Sequence, residues 1–222
     1  MNIEDYNFKH DKHYTIIAYT GSGKSILTEQ LFLSSPIPSI YFNTQLNNIK
    51  GGVHVHKPSI VKKLYLNGVK KIVYDPIFLQ TNNIDLIIKD LEFQLKELIS
   101  IFISYKQTLL NAKLINKSTP IRFYIDEGHL FQDSSSVPMF LKFLATSGRS
   151  LGIFLTIIGQ RAQLINNNIK QESIFIVGYL HPYDVQFIEI YVPQITQVEP
   201  NEHIFYMYDY FEQKKVKMKV IM

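Results

Sequence analysis

The chain has 222 residues, 46% of them hydrophobic and 19% charged, a balance that predicts a folded domain with a sizeable apolar core. The absence of cysteine excludes disulfides and thiolate metal sites, and the seven histidines are scattered without metal-ligand spacing. The net charge of +4 fits a polyanionic partner, but it fits an ordinary lysine-rich surface equally well.

The first third of the chain alternates strand and helix patterns. β-branched and aromatic runs predict strands at residues 13–19, 39–43 and 71–75, and helical periodicity predicts a helix at 25–33. Residues 45–68 are polar and contain two adjacent glycines, so we expect this segment to be irregular at first.

The middle of the chain continues the same alternation. Residues 84–110 show a long helical pattern, residues 121–125 a strand, 137–146 a helix and 152–158 another strand. Charged residues interrupt the apolar pattern of 83–103, which therefore predicts a core helix. We expect neither a membrane span nor a secretory signal in this sequence.

The last third predicts a short helix at residues 163–170, a strand at 173–179 and a helix at 182–191. Residues 203–222 predict a terminal β-hairpin, because their second half alternates with a period of two. The whole pattern indicates the α/β class, with a mostly parallel sheet flanked by helices and a C-terminal β-hairpin. We expect a single domain over 1–222, with its core at 13–180.

A glycine-rich segment joins the first predicted strand to the first predicted helix. Residues 18–25 match the phosphate-loop pattern G-x-x-x-x-G-K-[ST], except that Ala18 stands at the first glycine. Curled at Gly21 and Gly23, the loop would point its amides inward beside a helix N-terminus and form an anion nest. Lys24 would reach the β- and γ-phosphates, and the Ser25 hydroxyl would bind Mg²⁺. The alternative is a glycine-rich turn, but the strand–helix context favours the motif.

Nucleotide binding is accordingly expected along the whole loop. The residues are Thr20, Gly21, Ser22, Gly23, Lys24, Ser25 and Ile26.

An acidic pair follows the strand at 121–125. An apolar strand ending in Asp-Glu is the Walker B pattern, in which Asp126 would hold Mg²⁺ and Glu127 would orient the attacking water. The alternative is an acidic turn after a strand, which the upstream phosphate loop disfavours. His129 would either couple this carboxylate to its neighbours or to DNA, or simply begin a helix.

The same pair bears on the choice of nucleotide. A Ras-type GTPase needs Asp-x-x-Gly, but residue 129 is His, and residues 116–119 lack the final Asp of Asn-Lys-x-Asp. The adjacent Glu127 also argues against small-molecule kinases. We therefore expect ATP, with Mg²⁺, and an ATPase.

Three further side chains are candidates for catalysis. Gln160 ends a strand beside the acidic pair, where it can contact the γ-phosphate or the attacking water; a plain polar strand end is the alternative. Arg149 is expected to point away from its own loop, as an arginine finger for a neighbouring subunit, unless it only complements a helix dipole. Arg161 is the competing finger.

The order of these motifs over residues 13–180 resembles the FtsK/HerA superfamily of DNA-translocating ATPases, and most closely the genome-packaging ATPases of membrane-containing icosahedral viruses of archaea or bacteria. The sequence departs from the family at Ala18 and at Gly159, where Thr before Gln160 is commoner. The resemblance implies a RecA-like (ASCE) core, a homo-oligomeric, hexameric or similar ring, and double-stranded DNA threaded through its pore. Arg149 or Arg161 would then act between subunits.

As a packaging ATPase, the protein would translocate viral DNA into a preformed capsid. Its expected partners are DNA, other copies of itself, and a capsid or portal/membrane protein at the packaging vertex, in the host cytoplasm or on the virion. The alternatives are a related ATPase for conjugation, DNA processing, secretion or filament assembly, and a binding module without turnover. A DExH-type helicase would need two RecA domains. Lysine pairs at 62–63, 70–71 and 214–215 are candidate DNA contacts or solvated surface.

Overall fold

A computed structural model describes residues 9–132, 135–192, 203–209, 212 and 214–220. Its strands are β1 His13–Ile17, β2 Ser39–Phe42, β3 Val53–Val55, β4 Lys71–Tyr74, β5 Ile121–Ile125, β6 Ile153–Gly159, β7 Ser173–Val177, β8 Ile204–Asp209 and β9 Lys214–Lys219. Its α-helices are α1 Lys24–Ser34, α2 Pro58–Leu66, α3 Ile84–Asn111, α4 Met139–Ser147, α5 Asn167–Gln171 and α6 Pro182–Glu189.

These strands form one sheet in the order β3-β4-β2-β5-β6-β1-β7-β8-β9. The pairs from β3 to β7 are parallel, whereas β8 is antiparallel to both β7 and β9. The α/β class, the mostly parallel sheet and the C-terminal hairpin are thereby confirmed. The predicted hairpin residues 210, 211, 213, 221 and 222, and residues 1–8 and 193–202 of the predicted domain, lie outside the described residues.

Apolar layers cover both faces of the sheet. On one face α1 packs Leu27, Leu31 and Phe32 against strand residues such as Tyr41 and Tyr124. Helices α2 to α6 cover the opposite face, and each contributes a fully buried or nearly buried side chain: Val61, Leu95, Leu144, Ile169 and Ile188. Burial on both faces explains why the central strands are mostly apolar instead of alternating with exposed polar residues.

Helix α3 is the long core helix expected from its periodicity. Asn83 caps it by accepting hydrogen bonds from the amides of Asp85 and Leu86. Its buried stripe includes Leu91, Leu95 and Phe102, at the spacing of one helix face. Within the described ranges, no helix combines the length and the apolar character needed to cross a bilayer.

Residues 45–52 are irregular, as expected for the start of this segment, whereas the rest of 45–68 contains β3 and α2, which were not predicted. Pro58 opens α2 at a position where a missing amide hydrogen has no cost, and Val61 and Tyr65 bury one face at i, i+4 spacing. Strand β3 was missed because it has only three residues, two of them exposed, and depends on pairing with β4.

The helix predicted at 163–170 is also wrong in its extent. A short 3₁₀ turn, Ala162–Leu164, is followed by extended backbone at Ile165 and Asn166. The Asn166 side chain accepts a hydrogen bond from the amide of Asn168 and starts α5 there. Asn166, in the middle of the predicted helix, therefore divides it into a 3₁₀ turn and the short helix α5.

The parallel strands place several loops at one edge of the sheet. This edge is formed by the carboxyl ends of the parallel strands β1, β2, β5, β6 and β7. Strand β6 lies directly between β5 and β1. Ligands of open α/β sheets bind outside the carboxyl ends of the strands. The phosphate loop, the acidic pair and Gln160 all follow these strand ends.

Candidate nucleotide-binding site

The phosphate loop has the curled backbone that its glycines permit. Gly21 and Gly23 adopt left-handed φ values of 81° and 85°, and α1 begins at Lys24. Inside the loop, the buried Ser22 hydroxyl donates to the Tyr19 carbonyl at 2.7 Å. Ser22 therefore holds the loop's shape through its side chain, and the helix N-terminus faces the cavity that the loop encloses.

Ala18, the departure from the phosphate-loop pattern, is accommodated by a glycine on the next strand end. Ala18 is fully buried, and a Cβ placed on Gly178 would lie 3.0 Å from the Ala18 Cβ and 2.6 Å from the Phe205 ring. The methyl group of Ala18 thus uses space that Gly178 leaves open. No backbone distortion is needed to replace the first glycine of the motif.

Strand β5 delivers the two carboxylates to the same edge. The Asp126 amide still pairs with the Phe42 carbonyl at 3.2 Å, and the Glu127 amide donates to Asp126 Oδ1 at 3.0 Å. Glu127 has φ 45°, a left-handed conformation that is uncommon for glutamate. Both carboxylates are nearly buried, with 5% and 6% of the residue surface exposed. The strained turn directs Glu127 toward the phosphate loop.

A chain of hydrogen bonds connects the loop to the acidic pair. The Thr20 hydroxyl donates to Gln160 Oε1 at 3.0 Å, and Gln160 Nε2 donates to Glu127 Oε1 at 2.8 Å. The same Glu127 oxygen lies 3.8 Å from Lys24 Nζ. The structure therefore brings together Thr20, Lys24, Glu127 and Gln160, which are up to 140 positions apart in the chain.

The two carboxylates differ in their electrostatics. Burial raises the pKa of Asp126 to about 6, helped by the neighbouring Glu127 charge and opposed by Lys24. Burial also acts to raise the pKa of Glu127, but the His129 contact, the Lys24 charge and the Gln160 hydrogen bond outweigh it and lower that pKa. Glu127 is therefore ionised at neutral pH.

Lys24 is a buried cation in need of an acceptor. Burial lowers its pKa, and the charges of Glu127 and Asp126 oppose this shift. Its ammonium group has no hydrogen-bond partner among the described residues, although it lies within ion-pair range of Glu127. A buried donor of this kind is explained when an anionic ligand supplies the acceptor oxygens.

His129 lies in the short turn Gly128–Phe131 that follows the acidic pair. Its Nδ1 is 3.1 Å from Glu127 Oε2, a close ion-pair contact without the alignment of a hydrogen bond. The contact brings His129 to the carboxylate, and coupling of that carboxylate to its neighbours or to DNA stays a prediction. His129 also starts a helical turn, so the two interpretations are compatible.

The residues expected to hold Mg²⁺ are suited to it. The Ser25 hydroxyl lines the cavity, and Asp126 places a second hard oxygen ligand beside Glu127 and Lys24. The described residues contain no group of three His, Asp or Glu side chains that could cage a metal. Mg²⁺ commonly binds through one or two protein oxygens together with substrate phosphates and water, and these two side chains match that mode.

The two candidate arginine fingers do not line the phosphate cavity in this structure. Arg149 precedes β6, whose seven residues separate it from the phosphate edge by about 20 Å, and it pairs with Glu172. Arg161 lies at the phosphate edge, but its Nε donates to Asp184 at 2.8 Å. Action on a neighbouring subunit stays a prediction for both.

Three residues outside the predicted binding residues also line the cavity of about 320 Å³: Tyr19, within the phosphate-loop motif, and Gln45 and His203, which no motif identified. Gln45 follows β2, and its Nε2 donates to Glu127 Oε1 at 2.5 Å. Its loop is anchored by Asn43, which donates to Asp75 at 2.7 Å. The sequence marks Gln45 only as a polar residue after a predicted strand, and it carries no signal for His203, which belongs to the distant hairpin.

Comparison with known proteins finds structures of similar fold among solved NTPases and ATPases. No protein-family model and no curated protein matches the chain. The genome-packaging NTPase B204 from Sulfolobus turreted icosahedral virus 2, in complex with ATP-gammaS, is similar in structure with TM-score 0.67 and 17% identity, over 97% of this chain and 100% of that chain.

Two further solved structures extend the comparison. VirB4 of Thermoanaerobacter pseudethanolicus has TM-score 0.62 and 12% identity, over 97% of this chain and 93% of that chain. EssC (ATPases 2 and 3) from Geobacillus thermodenitrificans has TM-score 0.58 and 17% identity, over 96% of this chain and 40% of that chain. At such identities these neighbours confirm the fold alone, a RecA-like, mostly parallel sheet flanked by helices.

Proposed function

We propose that this chain is an FtsK/HerA-type ATPase that hydrolyses ATP with Mg²⁺ at the site between the phosphate loop and β5. The observation that carries the proposal is the hydrogen-bond chain from Thr20 through Gln160 to Glu127, with Lys24 Nζ 3.8 Å from the same carboxylate. A glycine-rich turn that does not bind a nucleotide would rarely lie beside an ionised carboxylate in this way.

Each side chain has a task that follows from its position. Lys24 and the loop amides bind the phosphates, and Glu127, kept ionised, orients the water that attacks the γ-phosphate. Gln160 holds the Glu127 carboxylate and adds a polar contact to the γ-phosphate region. Ser25 and Asp126 would hold Mg²⁺, which neutralises charge on the phosphate oxygens when it is bound.

The hydrolysis is proposed to drive double-stranded DNA into a preformed viral capsid. Support comes from the likeness to B204, a genome-packaging NTPase whose whole chain this fold covers. The protein would assemble as a hexameric or similar ring and meet a capsid or portal/membrane protein at the packaging vertex. It would work in the host cytoplasm or attached to the virion.

The lysines of β9 are the best candidates for DNA contact. Lys215, Lys217 and Lys219 are exposed on one face of this edge strand, while its other face is buried. Lysines on an edge strand also prevent unwanted strand pairing, so their position alone is not decisive. Lys71, a candidate from the sequence, is instead tied to the Ser35 carbonyl at 2.5 Å.

ATP hydrolysis with and without duplex DNA tests the proposal. Wild-type protein should hydrolyse ATP, DNA should stimulate it, and Lys24→Ala should lose at least ~100-fold in rate because phosphate binding is lost. A Lys217→Gln/Lys219→Gln variant should bind DNA more weakly and with a shallower salt dependence, and Lys89→Gln/Lys96→Gln, two exposed lysines of α3, serves as its matched control. No hydrolysis by wild type, or equal rates for wild type and Lys24→Ala, would refute the enzyme assignment.

A related ATPase for conjugation, DNA processing, secretion or filament assembly is the second candidate. The likeness to VirB4 and EssC is the observation that favours it. Intact ATP hydrolysis without DNA binding or stimulation, together with co-sedimentation with membranes, would select this candidate over genome packaging.

A further inference from the structure

The C-terminal hairpin contributes a side chain to the phosphate cavity. His203 immediately precedes β8 and lines the cavity with Gly23 and Lys24. Its imidazole lies directly on the loop, since a Cβ added at Gly23 would be 2.8 Å from His203 Nδ1. Two segments 180 positions apart in the sequence thus form one surface.

His203 has features that its packing leaves unexplained. Its φ of 48° is left-handed, a conformation that histidine adopts rarely, and the adjoining strand holds it there through a 3.0 Å hydrogen bond from the Val220 amide to its carbonyl. Its Nδ1 is buried and has no hydrogen-bond partner in the described part of the chain. Strained backbone and an unused buried nitrogen at one residue indicate a ligand contact.

Tyr19 provides an aromatic face in the same cavity. Its amide donates to the Tyr179 carbonyl at 2.7 Å, and its ring meets those of Tyr179 and His181 at centroid distances of 6.2 Å and 6.0 Å. These contacts fix the ring from one side, while 39% of the residue surface remains exposed. A fixed, half-exposed ring is suited to stacking against a planar group.

We propose that Tyr19 and His203 form the subsite for the nucleoside part of ATP. Tyr19 would stack on the base, and the free His203 nitrogen would hydrogen-bond to the base or ribose. This inference rests on the proposed function, in which the loop holds the triphosphate. Of the described residues that line the cavity, Lys24 is the only lysine or arginine, so the space beyond the phosphates offers aromatic and neutral polar groups instead of further positive charge.

Comparison of ATP with inorganic tripolyphosphate, each with Mg²⁺, separates the nucleoside from the phosphates. Calorimetry on wild type, Tyr19→Ala, Tyr19→Phe and His203→Ala should show that the two alanine variants bind ATP roughly 5- to 100-fold more weakly, as expected for loss of a stacking or hydrogen-bonding partner. Their affinity for tripolyphosphate should stay within about twofold of wild type, which also shows that the loop is folded. Tyr19→Phe should retain ATP affinity, because its ring still stacks.

Matched controls are Tyr183→Ala and His56→Ala. Tyr183 is 71% exposed and stacks on His181 outside the cavity, and His56 belongs to a different cavity. Both controls should bind the two ligands like wild type.

The possible failures are distinguishable. Equal losses for ATP and tripolyphosphate, or no loss for either, would overturn the subsite while leaving the ATPase proposal intact. Wild-type protein that binds neither ligand would instead overturn the proposed function itself.

Discussion

Asp126 and Glu127 are neighbours in the chain, yet their surroundings shift their pKa values in opposite directions. Burial raises the pKa of Asp126, whereas the His129, Lys24 and Gln160 contacts lower that of Glu127 against its own burial. Environments that separate the pKa values of two carboxylates commonly assign them different roles. In the proposed mechanism the ionised Glu127 orients the attacking water, and Asp126 is a costly buried carboxyl that a bound cation would stabilise.

The Asp126→Asn variant should stabilise the protein without nucleotide. Burial raises the Asp126 pKa to about 6 from an ordinary value of 3.8, so the folded state holds more protons than the unfolded chain between these values. Stability therefore falls as pH rises through this window. Above pH 6 the variant should gain up to about 3 kcal/mol of unfolding free energy, and below about pH 4 it should gain nothing. Urea unfolding at pH 4 and pH 7.5 measures this; a variant less stable at pH 7.5 contradicts it.

Site residues that belong to a sequence motif could be predicted from the sequence, whereas site residues that are brought together only by the arrangement of the strands could not. Lys24, Asp126 and Glu127 have local spacing that reflects their chemistry, and the structure places them together. Gln45 reaches the site only because β2 lies beside β5, a neighbour relation that the sequence does not display. His203 reaches the site only because β8, the strand that it precedes, pairs antiparallel with β7.

The C-terminal hairpin forms one side of the candidate site as well as one edge of the sheet. Phe205, Met207 and Met218 are fully buried, and the Phe205 ring fills the space above Gly178, beside Ala18 of the loop. Because His203 and Phe205 are on the same strand end, packing of the hairpin sets the position of the imidazole. The period-two pattern predicted the hairpin itself, but not this contact with the phosphate loop.

Loss of the Phe205 ring should destabilise the fold and weaken the site together. Phe205→Ala removes a fully buried ring and should cost about 3–5 kcal/mol of unfolding free energy. Phe93→Ala is the matched control, because Phe93 is 64% exposed, and it should change stability by less than about 0.5 kcal/mol. Urea denaturation compares the two variants; equal effects would show that the hairpin does not pack on the core as described.

In the proposed ring, the two candidate arginine fingers would act on a neighbouring copy instead of on their own cavity. Arg149 is at the edge of the sheet opposite the phosphate loop, and its charge reaches His13 at the start of β1. A side chain there cannot serve its own nucleotide, but a rotated neighbouring copy can bring it to a second site. Arg161, beside Gln160, is engaged by Asp184.

Mixing two inactive variants tests Arg149 as the finger in trans. Arg149→Ala lacks the finger but keeps its loop, whereas Lys24→Ala keeps the finger but lacks a working loop. Each alone should lose ~10³-fold or more in ATP hydrolysis, and an equimolar mixture should recover activity at about a quarter of its interfaces. The same mixture made with Arg161→Ala is the comparison. A mixture no more active than its two components, with mixed rings verified by native mass spectrometry, rules Arg149 out.

Hydrolysis and binding by Glu127→Gln test the central claim most directly, since every other role depends on this carboxylate meeting the phosphate loop. The substitution keeps the shape and removes the charge. The account predicts ATP affinity within a few-fold of wild type and a single-turnover hydrolysis rate lower by ~10²–10⁴-fold. A Glu127→Gln protein that hydrolyses bound ATP at the wild-type rate would contradict it.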